Sequence, residues 1–427
     1  MIALLTKYAA KLTASGLCAP GDVLLAALDD ELAWSQAHEP GDPRRPLMEA
    51  VFAGLNISAL LLARPAGAYQ AVMAELARQA LATGADSITP GDCETRTFLH
   101  DLPVVDGLSA QGVIQALRQR KGCVILHENE AFVAAFGTVS PEQAYVTFSS
   151  MCFACFVAYF AEHLRLARTG GLTDERRSAF ARIEALLPPD RADRPDLLPG
   201  PFTSEDQARE AIIQAGRSTV EYGLVDSYFG NISYRLGDTI LISQTGSSLD
   251  ELGACIDPCR MDGSSCAGLT ASSEYSAHKA VYEAEQTTGQ AGPDSGGGAR
   301  AILHGHPRFS VILSLDCERL DCPKLGECHR ACDTPRSVVS SSAGLNIPIV
   351  PGEVGTGPYG LCNTLPPALV GTKGDATGKG RGAIVYGHGL FTLGATDFRD
   401  AFATLMDVEH FCHAEYFRRV DQFDAAR

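Results

Sequence analysis

Glu274, His304, His306 and His388 are the residues of this 427-residue chain whose types and spacing could do metal chemistry. His304 and His306 close the apolar run Ala301-Ile302-Leu303, which reads as a buried strand. Residues i and i+2 of a strand share a face, so both imidazoles can grip one ion. His388 follows a second apolar run, Ala383-Ile384-Val385-Tyr386, and is expected at the end of another strand. Three imidazoles leave one tetrahedral position open, the arrangement of a catalytic zinc rather than a closed structural one. Spacing alone leaves another reading open, with His304 and His306 as a paired core motif and His388 as a turn residue between two glycines. If Zn2+ is held here, it can act as a Lewis acid toward a bound oxygen. Glu274 then serves as general acid/base, because a carboxyl in a partly dry site has a raised pKa. Its plainer reading is a glutamate at a helix N-terminus, favoured by the helix dipole.

A second group consists of short donors in turns: Asn231, Thr245, Gly246, Ser272 and Ser273. Hydroxyls, an amide and backbone N–H groups can bind a phosphate without net positive charge. Gly246 allows close backbone approach, and Ser272 and Ser273 precede a helix whose N-terminus favours an anion. Each is also an ordinary turn or cap residue. His278, one turn after Glu274, is expected to pack or to support a site residue rather than bind the ion. His410 and His413, late in the last helix, read as structural.

Cysteines make a third group. The chain has 14, and Cys317, Cys322, Cys328 and Cys332 fall close together with His329 among them. Cys255, Cys259 and Cys266 form a looser set. In a reducing compartment such clustering suggests metal before disulfides, so a structural zinc or an iron–sulfur centre is one reading and a loop of reduced thiols the other. The spacing matches neither a zinc-finger nor a ferredoxin pattern.

The elements that must position these residues divide the chain. Residues 186–204 are Pro-rich and lack periodic apolar pattern, so they read as a linker between domains 1–185 and 205–427. Thr203-Ser204-Glu205 is a helix N-cap signal. Tyr234 and Ile240-Leu241-Ile242 suggest a hairpin, 275–285 a helix, 286–298 a Gly-rich exposed loop, and 397–418 a long amphipathic helix. The first half parallels the second in outline. Gly122-Cys123-Val124-Ile125 and the helix after it match the strand–helix unit around His388. The run 59–65 matches the strand of His304 and His306, with Leu62 and Arg64 at the ligand positions. Residues 1–185 therefore read as a degenerate copy of the same α/β fold without metal ligands, the other reading being an unrelated α/β domain that shares strand–helix patterns by chance.

The formal charge of −16 argues against nucleic acid and anionic membrane as partners. The first residues lack the layout of a signal peptide, and the most apolar run, 151–160, is too short to span a bilayer. A soluble, cytoplasmic protein is the expectation.

From about residue 205 to 416 the chain resembles the class II aldolase/adducin family. The resemblance rests on Gly230-Asn231-Ile232-Ser233, Ile242-Ser243-Gln244-Thr245-Gly246, Ser272-Ser273-Glu274, His304-Gly305-His306-Pro307 and Gly387-His388-Gly389, in that order. Each motif is weak alone; together they are specific, and they cover about half the chain. The resemblance implies a three-layer αβα domain with a central mixed, largely antiparallel sheet. It implies one zinc on His304, His306 and His388, with Glu274 near it, and phosphate binding at Asn231, Thr245, Gly246, Ser272 and Ser273. The implied activity is retro-aldol cleavage of a small phosphorylated ketose to dihydroxyacetone phosphate and an aldehyde. Epimerases and dehydratases share the scaffold, and adducin heads keep the fold without the chemistry. Family members often form four-fold rings in which a neighbour lends a tyrosine. A homo-oligomer is thus implied, here a dimer of two-domain chains as a pseudo-tetramer, with Tyr69, Tyr145 and Tyr359 as candidate tyrosines. The family pattern says nothing of the Cys-rich insertion 317–332.

Overall fold

Short apolar runs bounded by glycine, proline or charge become strands, and longer mixed runs become helices. The structure is a computed structural model describing every residue except 36–41, 227, 265–269, 288–297, 320, 325, 333, 341–344, 354–356, 372–379 and 426–427. Most of the expected Gly-rich loop, and Cys266, lie outside the described residues. The chain divides into two units, Met1–Pro189 and Asp190–Arg427.

Unit one runs α1 (Ile2–Ala14), β1 (Cys18–Leu28), β2 (Leu32–Trp34), α2 (Arg44–Gly54), β3 (Ala59–Pro65) and α3 (Gly67–Thr83). It continues with β4 (Ser87–Ile88), β5 (Leu102–Asp106), α4 (Ala110–Leu117), β6 (Gly122–His127), β7 (Glu130–Gly137), α5 (Pro141–Thr169) and α6 (Asp174–Glu184). The sheet order is β2-β1-β3-β7-β6-β5-β4. Only β5 and β6 pair in parallel. Helices α2 and α4 cover one face, where Leu24, Leu62 and Ile125 meet Val51 and Val113. Helices α1, α3 and α5 cover the other.

The run 151–160, expected to be too short for a bilayer, lies within the 29-residue helix α5. That helix is long and apolar enough to cross a membrane, but 83% of its most apolar window is buried inside the unit. A helix apolar all round is at home in a protein core.

Unit two runs α7 (Glu205–Glu221), β8 (Asn231–Leu236), β9 (Thr239–Ser243), β10 (Ile256–Arg260), α8 (Tyr275–Thr287), β11 (Ala301–Gly305) and α9 (Arg308–Leu315). It ends with α10 (Cys328–Ala331), β12 (Arg336–Ser340), β13 (Leu345–Val350), α11 (Leu361–Gly371), β14 (Gly382–Val385), β15 (Gly389–Gly394) and α12 (Phe398–Ala425). Its order is β10-β9-β8-β11-β15-β14-β13-β12, with only β13 and β14 parallel. Helices α8 and α11 pack Val281 and Leu365 against Ile302, Val385 and Phe391. Helices α7, α9 and α12 cover the opposite face, giving three layers.

Residues 190–204, read as linker, are a strap on unit two instead. Leu197 and Phe202 are buried, and the Phe202 N–H donates to the Tyr234 hydroxyl. Asp190 meets His413, which gives that histidine the structural role expected of it. Low apolar periodicity hid a segment held mainly by side-chain hydrogen bonds. At its end Ser204 caps α7, accepting from the Gln207 N–H.

Candidate active site

β11 ends at Gly305, so His304 stands on the α8 face of the sheet and His306 lies just beyond the strand end. His304 stacks on Phe391, its partner across β15, with ring centres 3.8 Å apart. The tight turn 386–388 between β14 and β15 brings in His388; Gly387 takes φ +62° there. Gly389 has to be glycine. A Cβ there would lie 2.4 Å from the Gly305 carbonyl and 2.7 Å from His304 Cε1.

The ligand nitrogens of His304, His306 and His388 all lie within 4.8 Å of one another, and all three residues are buried. His304 Nδ1 donates to the Leu390 carbonyl at 3.2 Å, which leaves its Nε2 with a lone pair facing the group. That Nε2 is 3.1 Å from His306 Nε2. Two zinc–nitrogen bonds of about 2.0–2.1 Å at a tetrahedral angle place their nitrogens roughly 3.3 Å apart, so the pair fits a shared ion. Burial, and then the neighbouring histidines, hold His304 and His306 well below the ordinary imidazole range. They stay neutral, the form that binds metal.

Glu274 immediately precedes α8 and turns into the same space. Its Oε1 is 3.3 Å from His388 Nε2, and its Oε2 is 3.6 Å from His304 Nε2. Burial pushes its carboxyl up to about 7, against the pull of a hydrogen bond from Asn231. That bond, Nδ2 to Oε2, is 2.6 Å.

Asn231 was expected on phosphate, but its amide is committed inward at both ends. Its Oδ1 accepts from His278 Nε2 at 2.6 Å. His278 Nδ1 then accepts from Ser233 Oγ at 2.7 Å, and Ser233 lies 2.9 Å from the Tyr282 hydroxyl. Burial lowers His278 to about 3, so it is neutral and has one proton to give. This chain of bonds fixes which end of the Asn231 amide faces Glu274. Sequence reading anticipated support from His278 but missed Ser233 and Tyr282. The available signal was periodicity: Glu274, His278 and Tyr282 recur every four residues along one face of α8, and Asn231 and Ser233 share a face of β8.

The other expected phosphate residues come together in two turns laced by an antiparallel bridge between Gln244 and Ala271. The Thr245 N–H donates to the Thr270 carbonyl, and the Ser272 N–H to that of Ser243. Thr245, Gly246 (φ +69°) and Ser273 are exposed. Ser272 is buried, and its Oγ accepts from the Glu274 N–H at 3.3 Å.

Further support for the site escaped the sequence. Glu409 on α12 accepts from the Phe309 and Ser310 N–H groups at 2.8 Å, capping the helix that starts directly after His306-Pro307. Ser314 Oγ accepts from the Gly387 N–H at 2.8 Å, steadying the turn of His388. Of the candidate tyrosines, Tyr145 is buried against Tyr8 and Tyr69 packs on Phe156, both in unit one, while Tyr359 sits in a turn before α11.

Cys317, Cys322, Cys328 and Cys332 line one cavity. Among the described residues the group of three ligand atoms placed to hold an ion is that of the three histidines. Four thiolates on one zinc, with bonds of about 2.3 Å, would hold their sulfurs roughly 3.8 Å apart.

Residues 210–416 match the profile of the class II aldolase and adducin N-terminal domain. The second unit of this chain is similar to that family along most of its length. A curated relative, 3-oxo-tetronate 4-phosphate decarboxylase from Cupriavidus necator, is 31% identical over 115 residues. That stretch covers 27% of this chain and 48% of the relative, so the chain spans about half the relative's length. Among solved structures, L-fuculose-1-phosphate aldolase from Thermus thermophilus is 20% identical, with a TM-score of 0.36 over 51% of this chain and 97% of its own. The aldolase/epimerase/decarboxylase-like protein YgbL from Escherichia coli is 19% identical, with a TM-score of 0.36 over 49% of this chain and 88% of its own. Within the matched residues, the histidine group, Glu274 and the laced turns occupy one end of the sheet around β8, β11 and β15.

Proposed function

We propose that unit two is a metal-dependent lyase that cleaves a C–C bond next to the carbonyl of a small phosphorylated ketose. The observation that carries this reading is Glu274, a buried carboxyl poised near neutrality and 3.3 Å from His388. A divalent cation at His304, His306 and His388, zinc by the donor set, would supply Lewis acidity toward a substrate carbonyl.

The chain's own groups do the rest. The exposed turns at Thr245-Gly246 and Ser272-Ser273 offer hydroxyl and backbone donors to the phosphate. In retro-aldol cleavage the bond to the hydroxyl-bearing carbon breaks and an aldehyde leaves. The electron pair stays on the carbon beside the carbonyl and takes the Glu274 proton. The hydroxyl proton, released to water, balances the reprotonation of Glu274. Asn231 keeps the carboxyl aimed throughout, and burial keeps bulk water from quenching the carbanion first.

The stretch shared with a 3-oxo-tetronate 4-phosphate decarboxylase favours a second reading on the same residues. There the broken bond is to a carboxylate, CO2 leaves, and Glu274 protonates the same carbon. One experiment tests both. Zinc-loaded protein in D2O is given phosphorylated ketoses and phosphorylated 3-oxo acids, and products are followed by NMR. Dihydroxyacetone phosphate carrying deuterium supports aldol cleavage. CO2 with a deuterated ketone supports decarboxylation. Neither product, and no deuterium exchange into any substrate, overturns the lyase reading.

A further inference from the structure

Between α9 and β12, residues 316–335 contain a single four-residue helix, α10, among the described residues. A segment this poor in regular structure needs something other than backbone ladders to hold it. It surrounds a cavity of about 470 Å³, and Cys317, Cys322, Cys328 and Cys332 all line it. Leu313 and Ile349 supply apolar wall. All four thiols thus border a single space, contributed by separate turns of the segment. A space of about 470 Å³ among four cysteines is more than one zinc ion fills and suits a larger centre, in which each thiolate binds a different metal atom.

Charge points the same way. Arg319, Lys324, Arg336 and Arg419 face the cavity, with Asp316 and Glu318 as the acids. Arg419 is committed to Asp316 at 2.9 Å and to Glu415 at 2.8 Å. Counted by residue type, the lining carries four cations and two carboxylates. A [4Fe–4S] core on four thiolates carries a net charge of about −2, which this excess offsets.

We infer that the Cys317–Cys322–Cys328–Cys332 cavity is an iron–sulfur site taking a four-iron cluster, independent of the histidine centre. The cavity borders the C-terminal end of α9, whose Ser314 holds the Gly387 N–H. A cluster bound there stiffens the element that steadies His388 without touching substrate.

The test is iron and acid-labile sulfide content of the full chain, purified anaerobically or reconstituted with ferrous iron and sulfide. The expected result is about four irons and four sulfides per chain, retained in His304→Ala and lost in Cys322→Ser with Cys328→Ser. Sulfide distinguishes this centre from iron bound adventitiously by imidazoles. Should the cysteine variant fail to fold, native wild type is alkylated with iodoacetamide and mapped by mass spectrometry. The four thiols should be protected until the cluster is destroyed by chelator and oxidant. Wild type without iron and sulfide after reconstitution, one zinc retained by these cysteines, or their free alkylation in the iron-loaded protein would each overturn the inference.

Discussion

Sheet two repeats sheet one strand for strand, in chain order and in every pairing sense, with β10 as the one addition. The registers supply residue-level equivalents. Ala301 pairs with Gly394, and Ala59 with Gly137. Both glycines end a strand under pressure: an added Cβ would meet the Asp397 carbonyl at 1.9 Å and the Ser140 carbonyl at 2.1 Å. Counting from this anchor, His304 falls on Leu62, His306 on Arg64, and Asn231 on Leu24. His388 has no place at all in unit one. The β6–β7 hairpin continues its ladder to His127 and Glu130 and closes through Glu128 and Asn129, both with left-handed φ. The same architecture therefore stands with leucines where unit two buries a histidine and an amide. Sheet packing does not require those polar groups, and burying them costs free energy unless they are satisfied. Their presence in unit two is best explained by chemistry.

The comparison breaks most sharply at equivalent positions. His304→Ala should abolish stoichiometric metal binding and cut turnover by about a thousandfold or more, with the fold intact by circular dichroism. Leu62→Ala, its counterpart, should leave metal and turnover unchanged but destabilise unit one by about 2–5 kcal/mol in a urea titration. If His304→Ala unfolds unit two while keeping its metal, the division between a working site and a packing site fails.

Glu274→Gln keeps the size of the side chain and the contact with Asn231 but removes the transferable proton. It should lower kcat by about 10²–10⁴-fold while metal content stays full, and should suppress deuterium incorporation into product. His278→Ala should cost less, about 10–100-fold in kcat with KM little changed, because it frees the Asn231 amide to flip. An unaltered kcat in His278→Ala would mean that Asn231 is positioned by something else.

Much of this comparison is legible in the amino-acid sequence. The period-2 rule brings His304 and His306 together, and strand–helix patterns alone align Leu62 and Arg64 with them. The inward turn of Asn231 is not legible, because a side-chain amide in a Gly-Asn-Ile-Ser stretch can face either way until α8 packs beneath it. The Glu409 cap is hidden for a related reason, since its partners lie a hundred residues away in sequence. The cysteine spacing brings four thiols close in sequence, but only the fold shows that they line one cavity. Residues 190–204 look like linker because side-chain hydrogen bonds leave no periodic trace.

The helices that follow β7 and β15 start differently, and acid should reveal it. Ser140 makes no side-chain cap on α5, whereas Asp397 caps α12 and also accepts from the Gly200 N–H and from Arg399. Burial alone would raise Asp397, but these hydrogen bonds outweigh it and hold the carboxyl below the usual aspartate range. The unfolded chain then takes up the proton first as pH falls. The cap's contribution, about 1 kcal/mol, is complete above the usual aspartate range and lost as pH falls through the lower folded value. Asp397→Asn should thus be less stable than wild type at neutral pH, with the gap in urea midpoint closing in acid. A gap that stays constant with pH would assign the effect to packing.

Arg64 tests the comparison most finely. It stands where His306 stands, and its guanidinium reaches Asp22 at 3.1 Å and Glu130 at 2.7 Å. The positive charge that unit two would draw from a bound ion is here part of the chain, and Glu130 belongs to a hairpin whose ladder runs further than that of β14 and β15. The arrangement resembles a metal site but is weaker, because the Arg64 side chain keeps 35% of its exposure and water screens the pair. Arg64→Leu should therefore change stability by less than about 1 kcal/mol, and by less still in high salt. A loss of several kcal/mol that persists in salt would mean the guanidinium has taken over a structural duty of the ion, and that unit one still depends on a cation at that position.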